Sequence, residues 1–180
     1  MRIIKENSLG LIIDMQERLL PHIYHSEEII SNTGICIEGL NLLDIPLLST
    51  EQYRKGLGPT VQELQNKIEV FNPIEKMTFS CCDEPGFLSQ LKSMNKGQLI
   101  ICGIEAHVCI LQTTIDLIHA GFQPVVIEDC ISSRKNNDKI IAVERMRQEG
   151  AIITTYESVL FEIARISGTD SFKAISRLVK

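Results

Sequence analysis

Apolar residues along the chain fall into short, nearly unbroken runs, separated by stretches in which they recur every three or four positions. The run LGLIID (9–14) has the continuous character of a buried strand. It ends at an aspartate, and after a polar turn a helical pattern covers about 27–43. IPLLST (45–50) repeats the arrangement. EQYRKGLGPT comes next, and its glycines and proline predict irregular chain. KIEVFNPIEK is a weak strand that enters a second loop at Lys76. The spacing then predicts a helix over about 84–95, a strand at 98–103, a helix over about 107–120, a strand at 123–129, a helix at 138–149 and a strand at 151–155. Near-continuous apolar strands alternating with helices predict a mostly parallel, Rossmann-like sheet covered on both faces. This is a three-layer α/β/α sandwich, read as one domain over 1–180 with no repeat or linker. Sites in such sheets lie outside the carboxyl ends of the strands, so residues delivered to that edge carry most weight.

Composition narrows the partners. With 44% hydrophobic residues, 180 positions suffice for one continuous core. The 18 basic and 23 acidic residues are interspersed and leave a net charge of −5, so no basic stripe is available to neutralise a phosphate backbone, and nucleic acid is not an expected partner. No apolar stretch reaches the ~20 residues of a membrane span, and Asn7 and Asp14 interrupt any signal-peptide core. The expectation is a cytoplasmic protein with no membrane contact. None of the six cysteines lies in a C-x-x-C or zinc-finger spacing, so free thiols are expected, most of them buried as small apolar groups.

Asp14, Lys76 and Cys109 each stand where a strand or loop delivers a side chain to the carboxyl edge. Val108, Leu111, Ile115 and Ile118 recur at helical spacing and are expected to face the core, with Cys109 beside that stripe in the first turn. Unpaired N–H groups and the helix dipole favour an anion there, which predicts a thiol that ionises below its usual pKa and serves as a nucleophile. The competing reading is a buried structural thiol. Asp14 is a candidate general base or merely a cap. Lys76 is a solvated loop residue, or a charge that keeps Asp14 ionised and stabilises both a thiolate and an oxyanion. Cys36 and Cys102 read as core, Cys130 as packing at a strand end, and the adjacent Cys81 and Cys82 as a pair too strained for a ready disulfide. His107 stands two residues before Cys109, a spacing that does not share a helix face, which argues against a Cys–His dyad.

Together these segments resemble the isochorismatase-like (cysteine hydrolase) superfamily over nearly the whole chain, to about residue 166. LIIDMQERL resembles its first strand and aspartate, NPIEKMTFSCC the loop with its lysine, ICGIEAHVCILQTTIDLIHAGFQPVVIEDCISSR its nucleophile segment, and GAIITTYESVLFEI its last strand and helix. The resemblance implies a catalytic triad of Asp14, Lys76 and Cys109, a cis peptide at Ile104–Glu105 and an oxyanion hole from the Val108 and Cys109 amides. It also implies a homodimer or larger assembly.

Where nicotinamidases of this superfamily hold a metal, STEQYRKG offers Gln52 and Arg54, so neither metal nor cofactor is expected. Isochorismate-cleaving members lack the cysteine, so Cys109 points instead to hydrolysis of a C–N bond in a small amide, ureide or carbamoyl compound through a thioester. Vinyl-ether hydrolysis and a non-catalytic protein that keeps the fold are the rivals. EQYRKGLGPT is similar to the isochorismatase-domain-containing branch. Gln16, Glu51, Gln52, Tyr53, Phe79, Ser80 and His107 are candidates to bind the small-molecule substrate, or else loop and packing residues.

Overall fold

The computed structural model describes residues 1–180, with strands β1 (Ser8–Ile13), β2 (Leu47–Gln52), β3 (Ile74–Lys76), β4 (Gln98–Ile104), β5 (Gln123–Ser132) and β6 (Ile152–Thr154). They form one sheet in the order β3-β2-β1-β4-β5-β6 with every pairing parallel. The larger helices are α1 (Ser26–Leu42), α4 (Phe87–Ser93), α5 (Leu111–His119), α6 (Asn136–Gln148), α7 (Tyr156–Ala164) and α8 (Asp170–Leu178); α2 (Arg54–Leu57) and α3 (Gln62–Gln65) are single turns. None is long and apolar enough to cross a membrane.

β1 and β4 are buried at every position, which is why their sequences are unbroken apolar runs rather than alternating ones. Alternate residues feed two cores. Ile12, Ile100, Cys102 and Ile104 pack with Ile29, Cys36, Ile37 and Leu40 of α1 and with α7 and α8. Leu9, Leu11, Leu99 and Ile101 pack with α4, α5 and α6 on the other face. The chain reverses direction of travel across the sheet between β1 and β4, the crevice where ligands bind in doubly wound sheets.

The structure corrects the expected elements at five places. EQYRKGLGPT is ordered: β2 runs through Gln52 and α2 forms a turn within it. KIEVFNPIEK contributes only Ile74–Lys76 to the sheet. β5 extends to Ser132, and α8 lies beyond the last expected helix. Finally, the nucleophile segment begins not as α-helix but as a π-helical turn, Ala106–Ile110, in which Ile110 N–H reaches back to the Glu105 carbonyl at 3.2 Å. The wider turn changes which side chains face the core. Cys109, Ile110, Thr113, Thr114 and Leu117 are buried, whereas Val108, Ile115 and Ile118 are only half-buried.

Candidate active site

Asp14 leaves β1 in the left-handed region, at φ 54°, which a short polar side chain tolerates better than most. It is wholly buried, and each carboxylate oxygen has one partner. Thr50 Oγ1 donates to Oδ1 at 2.7 Å and Lys76 Nζ to Oδ2 at 2.7 Å. Thr50 pairs in register with Ile13, so its hydroxyl reaches the carboxylate from the adjacent strand.

Lys76 comes from edge strand β3 and extends past the end of β2. Its ammonium also donates to Gln52 Oε1 at 2.8 Å and to the carbonyls of Thr78 and Phe79, both at 3.1 Å, and lies 3.7 Å from Cys109 Sγ. Three N–H groups thus face four oxygens and a sulfur, so the amine has no free donor left to offer. Burial pulls its pKa down, but the charge of Asp14, with Cys81 and Cys109, outweighs that pull and holds it above the ordinary value.

Cys109 is buried in the π turn, beneath the carboxyl end of β4. Its pKa is raised, first by burial and then by the negative charge of Asp14, against the opposing pull of Lys76. This direction is opposite to the acidified thiol expected from the helix end, and its first cause is desolvation. Cys81 lies in the same core and is pushed up to about 11, mainly by burial.

The turn is set by β4. Gly103 has φ +134°, and a Cβ there would sit 2.1 Å from the Ile13 carbonyl oxygen, so only glycine lets β4 approach β1 so closely at the site. The Ile104–Glu105 peptide is cis. The Glu105 carboxylate takes Arg134 Nε at 3.1 Å and Nη2 at 2.9 Å, and its pKa is lowered because the Arg134 contacts outweigh burial. Val108 N–H is donated to the Glu105 carbonyl at 3.1 Å, which removes it from the expected oxyanion hole; Cys109 N–H is given to no side chain and to no carbonyl outside its own turn.

The other candidates divide by exposure. Gln16 has no exposed surface; its amide donates to the carbonyls of Gln52 and Gly58 and accepts from Gln52 N–H. Glu51 is equally buried, and Oε1 accepts from both the amide and the hydroxyl of Thr60. Ser80 is buried and donates to Asp116 at 2.5 Å. Gln16 and Ser80 thus spend their polar atoms on contacts within the protein, whereas Glu51 Oε2 accepts no hydrogen bond and lies 3.3 Å from Arg54 Nε. Gln52 is taken up by Lys76 and the Met77 carbonyl. His107 is held by Ser133 Oγ, 2.8 Å from Nδ1, not by Cys109. Tyr53, Met77 and Phe79 are exposed apolar side chains. A cavity of about 170 Å³ lies against Lys76, lined also by Tyr53, Arg54, Met77 and Glu84.

Sequence reasoning missed Thr50, because a threonine at a strand end carries no distinguishing signal.

Residues 8–158 match the family model described as "Isochorismatase domain". The chain belongs to the isochorismatase family. Within it, the chain is 38% identical over 180 residues to isochorismatase domain-containing protein 2A of Mus musculus, covering 99% of this chain and 85% of the mouse protein. The structure described as MAR1 ribonuclease from Caenorhabditis elegans superposes with a TM-score of 0.92 at 38% identity, covering 99% of this chain and 92% of that one. YcaC from Pseudomonas aeruginosa, described with hexane-2,5-diol and covalent acrylamide, superposes with a TM-score of 0.90 at 26% identity, covering 97% and 89%.

Proposed function

We propose that this isochorismatase-family protein is a cysteine-dependent hydrolase of a C–N bond in a small amide, ureide or carbamoyl compound. The observation that carries the reading is the Lys76 ammonium, 2.7 Å from Asp14 and 3.7 Å from Cys109 at the crossover point of the sheet. As the thiol attacks the carbonyl carbon, its proton passes to Asp14. Charge therefore moves from the carboxylate to the oxyanion without any net change in the buried cluster. Lys76 stabilises both ends of that transfer, and Cys109 N–H is the candidate donor to the oxyanion. Protonated Asp14 gives its proton to the leaving amine as the C–N bond breaks. Water, deprotonated by Asp14, then opens the thioester and regenerates the thiol, so the balance is amide plus water to acid plus amine.

The covalent acrylamide described for YcaC of Pseudomonas aeruginosa supports a reactive nucleophile in a relative. The ribonuclease name of the Caenorhabditis elegans relative offers another substrate class, but a net charge of −5 gives RNA phosphates little attraction here. Ammonia or amine release from a panel of amides, ureides and carbamoyl compounds tests the proposal. Cys109→Ala is expected to stay folded and lose at least ~10³-fold in turnover, as loss of a nucleophile requires. Turnover unchanged by that substitution would overturn the mechanism and favour vinyl-ether chemistry.

A further inference from the structure

Three other thiols meet far from this chemistry. Cys36 of α1, Cys102 of β4 and Cys130 of β5 have no exposed surface and lie in the core beneath α1, across the sheet from Cys81 and Cys109. Their sulfurs all fall within 4.8 Å of one another, with Cys102 Sγ 3.8 Å from Cys36 Sγ, and all three are free.

An irregularity in the sheet produces the meeting. β4 and β5 pair regularly up to Ile101 and Val126 and resume at Gly103 and Ile131, so β5 advances from 126 to 131 while β4 advances from 101 to 103. Strict alternation after Val125 and Ile127 would send Asp129 into the α1 core. The bulge reverses the alternation, and Cys130 enters in its place.

Sulfurs bonded at about 2.3 Å to one three-coordinate centre stand ~3.5–4 Å apart, a spacing already present between Cys36 and Cys102. The cluster holds only sulfur, which selects thiophilic ions. Its surroundings restrict the charge. The core is apolar, and the ionisable non-thiol group that acts on Cys102 is the Asp129 carboxylate. Three thiolates around a monovalent or divalent ion would leave net negative charge buried there, which desolvation opposes; three around a trivalent centre are neutral.

We infer that Cys36, Cys102 and Cys130 form a three-sulfur site for a trivalent thiophilic centre of the arsenite class. The step is a condensation without electron transfer. The three As–O bonds of arsenous acid break, three As–S bonds form, and each thiol proton leaves with a hydroxide as water.

The experiment incubates the folded protein with arsenite and follows intact mass. Expected is a gain of one arsenic less three hydrogens, in the wild type and in the Cys81→Ala/Cys82→Ala/Cys109→Ala variant, and its absence from Cys36→Ala and Cys130→Ala. The adduct should resist excess dithiol in the folded protein and be stripped once urea opens the core. A second measurement does not depend on the variants folding: X-ray absorption at the arsenic edge of the loaded wild type should show three sulfurs and no oxygen. An adduct that keeps a hydroxyl, one that dithiol removes equally fast with and without urea, or no adduct at all would overturn the site.

Discussion

Asp14 and Lys76 form an ion pair in which neither side chain has exposed surface. Such a pair contributes little net stability as a unit, but removing one member strands the other. Lys76→Met is therefore expected to cost roughly 3–5 kcal/mol in urea denaturation, and adding Asp14→Asn to it should recover part of that loss. Strictly additive losses would show that the two do not interact. The meeting of Asp14, Lys76 and Cys109 was legible in the sequence because each sits where a strand or loop ends at the same edge of the sheet. The latching roles of Gln16 and Glu51 were not. Their partners are Gln52 at the end of β2 and residues 58 and 60 of the loop beyond α2, brought near only by the folded chain, and from sequence a polar residue near a site looks like a ligand for substrate.

At the scale of elements, the β4-to-α5 passage governs the geometry of the thiol. Gly103→Ala would drive a Cβ to 2.1 Å from the Ile13 carbonyl in a backbone region that alanine avoids. The expected loss is at least ~2–3 kcal/mol, read by chemical denaturation; a fully stable variant would show that β4 can move away from β1 there. Alternation of apolar runs with helical spacing revealed nearly every strand and the parallel sheet. The π turn escaped because a run such as AHVCILQTT contains apolar residues at several compatible spacings, and only the hydrogen bonds choose among them. The bulge in β5 escaped for a similar reason: EDCISS alternates too weakly to reveal a change of face.

For the molecule as a whole, buried thiols set its response to alkali. Burial is the first cause that pushes Cys81 up from its usual 9.0 to about 11, and Cys82 to about 12. A folded state that holds protons more tightly than the unfolded chain keeps its full advantage below pH ~9 and loses it as pH rises through the folded-state values. The raised pKa of Lys76 acts in the same direction. The thermal midpoint should therefore fall between pH 9 and 11, and Cys81→Ala should flatten the decline, since its displacement to about 11 corresponds to roughly 3 kcal/mol. An unchanged slope in that variant would rule Cys81 out as a source.

The outermost strand has one further consequence. β3 is three residues long and bonded along a single side, yet it supplies the cation at the centre of the proposed chemistry. A chain whose interior strands and helices have already assembled would register as native by bulk spectroscopy and still be inert until that rim has docked. Mild denaturant should accordingly silence turnover before ellipticity changes, making activity the more sensitive gauge of whether the last piece of the sheet is in place.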